Sequence, residues 1–202
     1  METTEQDVLA ALRAATAARH AELDASTPLA ATQVDLAAYG AHLRLLERWL
    51  APVPAWLAGF DDGPQLPDYL GAIRADLAHG ALAAAAARLE RATARPADQA
   101  GQAEQPFSWP AQAGAAYRWG VCYVVEGSQL GGAVLYKRLA PALAPHPLAY
   151  LRGNGSPGPR WQQFLAALRT HVVEPAQIED ACAGARDAFD RLIALNRAEA
   201  RG

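Results

Sequence analysis

The sequence lacks long apolar runs, clusters of cysteine and an excess of charge of one sign. Its 202 residues include 18 lysines and arginines against 21 aspartates and glutamates, for a net charge of −3. We therefore expect no nucleic-acid partner, because such partners are bound mainly through their phosphates. We also expect no membrane span, because no stretch of about 18 uncharged apolar residues occurs.

The two cysteines, Cys122 and Cys182, stand alone in apolar or helical segments. Their spacing fits neither a metal site nor a disulfide framework, so we interpret them as buried thiols in a reducing compartment. The opening stretch METTEQDVLAALRAAT has no basic start followed by an apolar core, and so it does not resemble an export signal. Together these features predict a cytoplasmic protein.

What the sequence does contain is mainly helical periodicity, and nothing in it indicates a strand. It predicts an all-α fold with a single domain over residues 1–202. The first helix is predicted to follow a cap at Thr3 or Thr4, with an inward stripe of Val8, Leu9, Leu12, Ala15, Thr16 and Leu23. Further helices are predicted over about Val34–Leu50, over two segments within 66–92 that Gly80 separates, and over Gln112–Leu143, Trp161–Val173 and Pro175–Ala200, with a stop at Ala51–Pro54 and loops at Arg95–Pro110 and Arg152–Pro159.

One predicted helix contains an unusual cluster of glycines, in the stretch YVVEGSQLGGAVLYKRL at 123–139. Gly127 and Gly131 lie four residues apart and share a face, while Ser128 and Gly132 form the adjoining stripe. Each glycine costs up to about 1 kcal/mol relative to alanine inside a helix, so a compensating use is expected. Close packing against another helix, a loop between two helices and a helix lying across a planar ligand all remain open from this stretch alone.

A histidine in the first helix is a candidate for the opposite wall of such a site. In LRAATAARHAELDAS, residues 12–26, His20 is predicted to lie on the inward stripe. Asp24, one turn later, can accept the Nδ1–H of His20 and leave Nε2 free to bind a metal. Arg13, two turns earlier, suits an anionic group at the rim of a pocket. The alternative is a satisfied core histidine flanked by two solvated surface charges.

The pair of motifs LRAAT…H…LD and YVVEGSQLGG resembles the heme oxygenases, and most of all their bacterial, biliverdin-producing branch. The resemblance implies a helical bundle with heme b, both substrate and cofactor, between the first helix and a kinked, glycine-rich distal helix. It implies oxidative cleavage of heme to biliverdin, carbon monoxide and ferrous iron, using O2 and electrons from an external donor such as a ferredoxin or a reductase. A bilin-accepting phytochrome is a candidate partner for the product.

The resemblance also assigns individual residues. His20 matches the proximal ligand of the heme iron, and Asp24, one methylene shorter than the glutamate usual in the family, matches its hydrogen-bond partner. Arg13 matches a residue that contacts a heme propionate. The distal wall corresponds to Gly127, Ser128, Gln129, Leu130, Gly131 and Gly132.

Two further matches lie in the C-terminal part. Arg169, in FLAALR, resembles a second cation for the propionates, and Phe189, in ARDAFDRL, resembles an aromatic residue of the pocket. The alternatives are an exposed helix residue and an ordinary core residue, respectively.

Two positions depart from the mammalian pattern. Where mammalian-type members have an acid after the first distal glycine, this sequence has Ser128, as bacterial members commonly do. A distal water network would then depend on backbone groups, Ser128 and Gln129. The tyrosine that contacts a propionate in many members falls at Cys122, with Tyr117 and Tyr123 nearby, and this contact stays unassigned.

Three alternatives keep the helical fold but change the function. A non-degrading heme-binding or sensing protein would share the pocket without turnover. The second alternative is the di-iron or cofactor-free oxidase branch of this fold. A di-iron site would need several inward carboxylates with Glu-x-x-His-like spacing, which ERATARPAD and IED do not offer. A helical interaction module would bind no heme. No GxGxxG fingerprint for a flavin or dinucleotide occurs, which is why the electrons are expected from outside.

Overall fold

The computed structural model describes residues 7–93, 108–153 and 155–199, and the secondary structure of these residues is all α-helical. Within these ranges no helix has the length and apolar character that crossing a membrane requires. The helices are α1 (Val8–Ser26), α2 (Leu36–Leu50), α3 (Val53–Leu57), α4 (Tyr69–Leu77), α5 (Gly80–Thr93), α6 (Ala115–Leu143), α7 (Ala149–Arg152), α8 (Pro157–His171) and α9 (Pro175–Glu199).

The long helices that the periodicity predicts are confirmed, with ends that shift by a few residues. The predicted break at Gly80 corresponds to the junction between α4 and α5. The predicted loop Arg152–Pro159 is wrong at both ends, because Arg152 ends α7 and α8 already begins at Pro157. Proline suits the first helical position, since the amide hydrogen it lacks would have no helical partner there. Most of the predicted loop Arg95–Pro110, with Asn154 and Ala200, lies outside the described residues.

Aspartates set the starts of three helices by accepting a hydrogen bond from a free backbone amide of the first turn. Asp7 accepts from the amide of Leu9 and starts α1, Asp35 starts α2, and Asp68 starts α4. The cap of α1 is therefore Asp7, and the threonines predicted for this role, Thr3 and Thr4, lie outside the described residues.

Helix α9 is the central element, and α1, α2 and α6 all pack on it. Its buried face includes four small residues, which allow neighbouring helices to approach closely. The small residues are Ala181, Gly184, Ala185 and Ala188, and the larger buried residues between and around them include Ile178, Cys182, Phe189, Leu192 and Ile193. The prediction for the cysteines is confirmed, since Cys122 and Cys182 are both buried free thiols. Burial raises the pKa of both thiols, which keeps them protonated at neutral pH.

Helices α6 and α9 cross in backbone contact. A Cβ added to Gly120 would lie 1.9 Å from the carbonyl oxygen of Ala181, and one added to Gly184 would lie 2.1 Å from the carbonyl oxygen of Tyr117. Both distances are far inside van der Waals contact, so only glycine fits at either position. This crossing fixes the position of the glycine-rich half of α6 relative to the rest of the bundle.

Candidate functional site

Helices α1 and α6 pack on the same two helices, α8 and α9, but have little contact with each other. We name the region between α1 and α6, which α8 and α9 both border, the gap. Beyond the glycines, Arg138 of α6 donates a hydrogen bond to the carbonyl of Leu29, in the segment after α1. The helix with the predicted ligand, α1, and the helix with the predicted distal wall, α6, are therefore linked through α8 and α9 and through the Arg138–Leu29 hydrogen bond.

The glycine-rich part of α6 presents an uncovered surface. A Cβ added to Gly131 would meet no atom within 4 Å beyond its own helix, and one at Gly127 would meet only the ring of Trp161, at 3.6 Å. One turn further on, Val134 is 69% exposed. An apolar helix face without side chains can contact a flat apolar ligand directly, and we name Gly127, Gly131 and Val134 the glycine face.

Gly132 has a different environment from the other two glycines of the cluster. It is buried, and the position of its Cβ lies 3.8 Å from Leu151 of α7. Close helix packing, one of the alternatives for the cluster, is therefore its role in this structure. The cluster combines an uncovered surface at Gly131, a half-buried surface at Gly127 that Trp161 borders, and a packing contact at Gly132.

The imidazole of His20 is fixed at one nitrogen and accessible at the other. Its Nδ1 lies 2.9 Å from Oδ2 of Asp24, so aspartate reaches the histidine despite its shorter side chain. The carboxylate selects the tautomer that has its proton on Nδ1, and Nε2 keeps its lone pair. The ring of Phe189 on α9 lies 5.8 Å from the imidazole, which supports it from the side of the central helix.

The sequence prediction that His20 points inward is wrong. Its side chain is 63% exposed, whereas Leu12 and Thr16 on the same predicted stripe are buried. A helix turns about 100° per residue, so four residues beyond Thr16 the stripe has rotated by about 40° and His20 lies at its edge. That position suits a ligand better than burial would, because Nε2 remains accessible.

A group of charged residues lies at the N-terminal end of α1. Arg169 of α8 contacts Asp7 at 3.3 Å. This bond, together with that from the Leu9 amide, lowers the pKa of the Asp7 carboxyl, and the charge of Arg13 contributes in the same direction. Burial raises the pKa of Tyr123 on α6, while Arg13 opposes that rise. Arg13 and Arg169 are therefore neighbours of one carboxylate, and Arg13 is also within electrostatic range of α6.

An ion pair between a buried glutamate and a half-buried arginine anchors α6 immediately before the glycine face. Glu126 is 3% exposed and accepts hydrogen bonds from Nε and Nη2 of Arg160 at 2.9 and 2.7 Å. Tyr69 of α4 donates to the same carboxylate at 3.0 Å. Trp161, the next residue after Arg160, lies against Gly127. The sequence reasoning assigned Glu126 no role, although an acid within the apolar run VVEG is a signal for a buried partner.

Two polar residues follow Gly127 on the distal helix. Ser128 donates through Oγ to the carbonyl of Val125 at 2.7 Å. Gln129 donates through Nε2 to Ser128 at 3.2 Å and to the hydroxyl of Tyr150 at 3.1 Å. The structure thus connects both predicted polar residues to a tyrosine of α7 that the sequence reasoning did not identify. Helix α7 begins at the end of the stretch PALAPHPLAY, residues 141–150, which contains three prolines. One helical turn is also too short to show a hydrophobic periodicity.

The predicted residues fall into three groups. The first is His20, Asp24 and Phe189; the second is Arg13 and Arg169 around Asp7; and the third comprises the glycine face, Ser128 and Gln129. Gly132 is not part of the uncovered surface. In the described ranges, no group of three or more His, Cys, Asp or Glu side chains is placed to hold a metal ion.

Two comparisons with known proteins identify the family of this chain. A heme oxygenase of Xanthomonas campestris pv. campestris (strain 8004) is 39% identical to this chain over 95 residues, which cover 46% of this chain and 57% of that protein. The match therefore spans little more than half the length of the relative. The family model described as "Heme oxygenase" matches residues 6–198, nearly the whole sequence. The chain belongs to the heme oxygenase family.

Proposed function

We propose that this protein cleaves heme b to biliverdin, carbon monoxide and ferrous iron. The observation that carries the proposal is the imidazole of His20, which Asp24 fixes at Nδ1 and which keeps Nε2 accessible. The glycine face supplies an uncovered surface of the kind a flat macrocycle needs. When bound, heme supplies both the iron that activates O2 and the ring that is oxidised. The name of the Xanthomonas relative supports the same activity.

On the proximal side, His20 holds the iron through Nε2. Asp24 accepts the Nδ1 proton, which fixes the orientation of the ring and makes the imidazole a better ligand. Phe189 packs beside the imidazole and supplies apolar surface below the macrocycle. His20 would thus be the residue that holds the iron of a bound heme, and α6 would contribute the glycine face on the distal side.

The two propionates are bound by Arg13 and Arg169. Guanidinium groups form paired hydrogen bonds with carboxylates, and both arginines are neighbours of Asp7 at the N-terminal end of α1. Asp7 holds Arg169 in place before the ligand arrives. Arg13 and Arg169 would thereby hold the carboxylates of a bound heme at this end of α1.

On the distal side, the missing side chains of Gly127 and Gly131 leave room for O2 close to the helix backbone. Ser128 and Gln129 already donate their protons within the protein, so they would orient water through the lone pairs left on Ser128 Oγ and Gln129 Oε1. Glu126 is already bound by Arg160 and Tyr69, so it does not act as a strong acid in this region. Proton delivery would therefore rely on water that these groups orient.

The electrons come from an external donor, a ferredoxin or a reductase, because the sequence has no fingerprint for a flavin or dinucleotide of its own. A bilin-accepting phytochrome is a partner of suitable chemistry for the product. A cytoplasmic location fits the two free thiols, which persist in a reducing compartment.

Titration of the purified protein with hemin tests the proposal. We expect a Soret band that saturates at a single equivalent. Under air, with ascorbate and catalase, the band should bleach while biliverdin absorbance grows, and catalase ensures that free peroxide is not the oxidant. A heme complex that persists under these conditions would instead identify a heme-binding or sensing protein. Failure to bind hemin would identify a helical module without this ligand.

The substitution Gly131→Ala should stabilise the heme-free protein and weaken hemin binding. The added methyl group meets no atom, so the variant should gain about 0.5–1 kcal/mol from the higher helix propensity of alanine. The same methyl group stands on the glycine face and would hold the macrocycle away from α6. Chemical denaturation of the heme-free protein and hemin titration measure the two effects. Equal or tighter hemin binding by the variant would show that this face is not the distal wall.

A further inference from the structure

The phenol of Tyr150 lies buried behind the polar residues of the distal helix. Its hydroxyl accepts a hydrogen bond from Nε2 of Gln129 at 3.1 Å, and the same nitrogen donates to Oγ of Ser128 at 3.2 Å. Burial raises the pKa of Tyr150, and its hydrogen bonds with Gln129 and Ser128 offset part of that rise. Tyr150, Gln129 and Ser128 form one connected polar group, which we name the distal polar group.

The backbone of Tyr150 is held from the opposite side by a buried carboxylate. Asp76 of α4 is 1% exposed and accepts from the backbone amides of Ala149 and Tyr150 at 3.0 and 2.9 Å. Tyr39 of α2 donates its hydroxyl to the same carboxylate at 2.6 Å. A buried carboxylate is costly unless it is fully hydrogen-bonded, and three donors meet that need here. The start of the one-turn helix α7 is consequently fixed to α2 and α4.

The turn that leads into α7 adopts an unfavourable backbone conformation. Leu148, which is fully buried, has φ +48° and ψ +46°, in the left-handed region that leucine rarely adopts. Its amide donates to Nδ1 of the buried His146 at 3.0 Å. The left-handed Leu148 and the buried side chains of Asp76 and His146 thus precede or hold the start of α7, a helix of only four residues. The side chain of α7 that reaches the polar residues of α6 is Tyr150.

The hydrogen bonds of the distal polar group have a defined direction. Both hydrogens of the Gln129 amide are donated, one to Ser128 and one to Tyr150. The hydroxyl hydrogen of Ser128 is donated to the carbonyl of Val125. Without the acceptor on Tyr150, the amide of Gln129 would lose one of its two fixed partners and could rotate. Tyr150 therefore helps to fix the orientation of the amide that donates to Ser128 Oγ.

We propose that Tyr150 is a positioning residue of the distal side, whose buried hydroxyl holds the Gln129 amide against Ser128 Oγ, in the orientation in which the remaining lone pairs of these two side chains order water near the glycine face. This role rests on the proposed function, since the water matters only if heme is cleaved there. Tyr150 touches neither the glycine face nor the proximal histidine, so it acts through Gln129 and Ser128.

The substitution Tyr150→Phe tests the proposal, because it removes the hydroxyl and keeps the ring that packs α7. Tyr136→Phe is the matched control, since it removes a partly buried phenol of α6 that does not belong to the distal polar group. The first measurement uses the heme-free protein: in Tyr150→Phe, hydrogen exchange of the Gln129 side-chain amide, followed by NMR, should accelerate about tenfold, as expected for loss of one hydrogen bond. The control should leave this rate unchanged.

The second measurement uses the hemin complex. In Tyr150→Phe, kcat for biliverdin formation should fall by about three- to tenfold with KM for hemin unchanged, and the acid–base transition of the ferric complex should move up by about half a pH unit or more. Unchanged amide exchange, or an unchanged transition and kcat, would overturn the proposal. Loss of helix content in Tyr150→Phe would assign Tyr150 a merely structural role and overturn it as well.

The two measurements also separate this role from the proposed function. If the wild-type complex does not produce biliverdin, the proposed function fails, while amide exchange still reports whether Tyr150 orients Gln129. Gln129→Met, which keeps the length of the side chain and removes its amide, provides a second variant for the hemin complex. It should reproduce the shifted transition of Tyr150→Phe, and the wild-type transition in Gln129→Met would contradict the role.

Discussion

His20→Ala should remove nearly all heme turnover and leave the protein folded. We expect biliverdin formation to fall by more than about 100-fold, because even loss of a partner of a metal ligand costs up to that factor. The free energy of unfolding of the heme-free protein should stay within about 0.5 kcal/mol of wild type, since the imidazole is an exposed group and alanine is the better helix former. Biliverdin absorbance and chemical denaturation measure the two quantities.

Two comparisons test the proposed ligand role of His20. Added imidazole can occupy the space left by the missing side chain and should restore the Soret spectrum of His20→Ala. Asp24→Asn keeps the imidazole and weakens its fixed hydrogen bond, so its effect should be intermediate, a loss of about 10-fold in turnover or affinity. If His20→Ala turned over heme at the wild-type rate without added imidazole, the assignment of the proximal ligand would be wrong.

Local patterns were sufficient to predict most of the helices and the pairing of His20 with Asp24. Two side chains four residues apart on a helix are neighbours whatever the rest of the fold does, and their nitrogen and oxygen atoms lie 2.9 Å apart. The same rule placed Gly127 and Gly131 on one face. Local spacing did not predict correctly how far His20 is exposed. Its position at the edge of the stripe depends on how α1 packs on α9, and a local sequence pattern carries no information about that packing.

Contacts between distant segments explain what the sequence reasoning missed. Asp76 and Tyr150 are separated by 74 residues, and Glu126 and Arg160 by 34. A buried acid can be suspected from an apolar context, but its partner on another helix cannot be identified without the fold. Helix α7 is shorter than one hydrophobic repeat, so its start depends on Asp76 rather than on periodicity.

The roles of the site residues have a different origin from their positions. Composition and spacing predicted a histidine with one free nitrogen and a helix face without side chains. The resemblance to heme oxygenases supplied the ligand that connects the two, and the family match over residues 6–198 agrees with it. The fold adds a physical constraint, since α1 and α6 are separated by packing on shared neighbours. The width of that gap depends on how closely α6 and α9 cross.

That crossing leads to the largest expected effect on stability. Gly120→Ala and Gly184→Ala should each lower the free energy of unfolding by at least about 3 kcal/mol, the upper end of the usual cost of overpacking. The new Cβ would meet a backbone carbonyl at 1.9 Å in one case and 2.1 Å in the other, and backbone cannot rotate away as a flexible side chain can. The helices must separate, which also shifts α6 relative to the gap. Chemical denaturation of the heme-free protein measures the loss.

Gly131→Ala is the matched control for this prediction, because it places the same methyl group on the same helix where no atom lies nearby. The two substitutions on α6 should change stability in opposite directions, although their intrinsic helix propensities change equally. Their difference therefore measures the contact with α9 alone. Wild-type stability in Gly120→Ala would mean that α6 and α9 do not touch through their backbones, and the crossing could not then set the separation of α1 from α6.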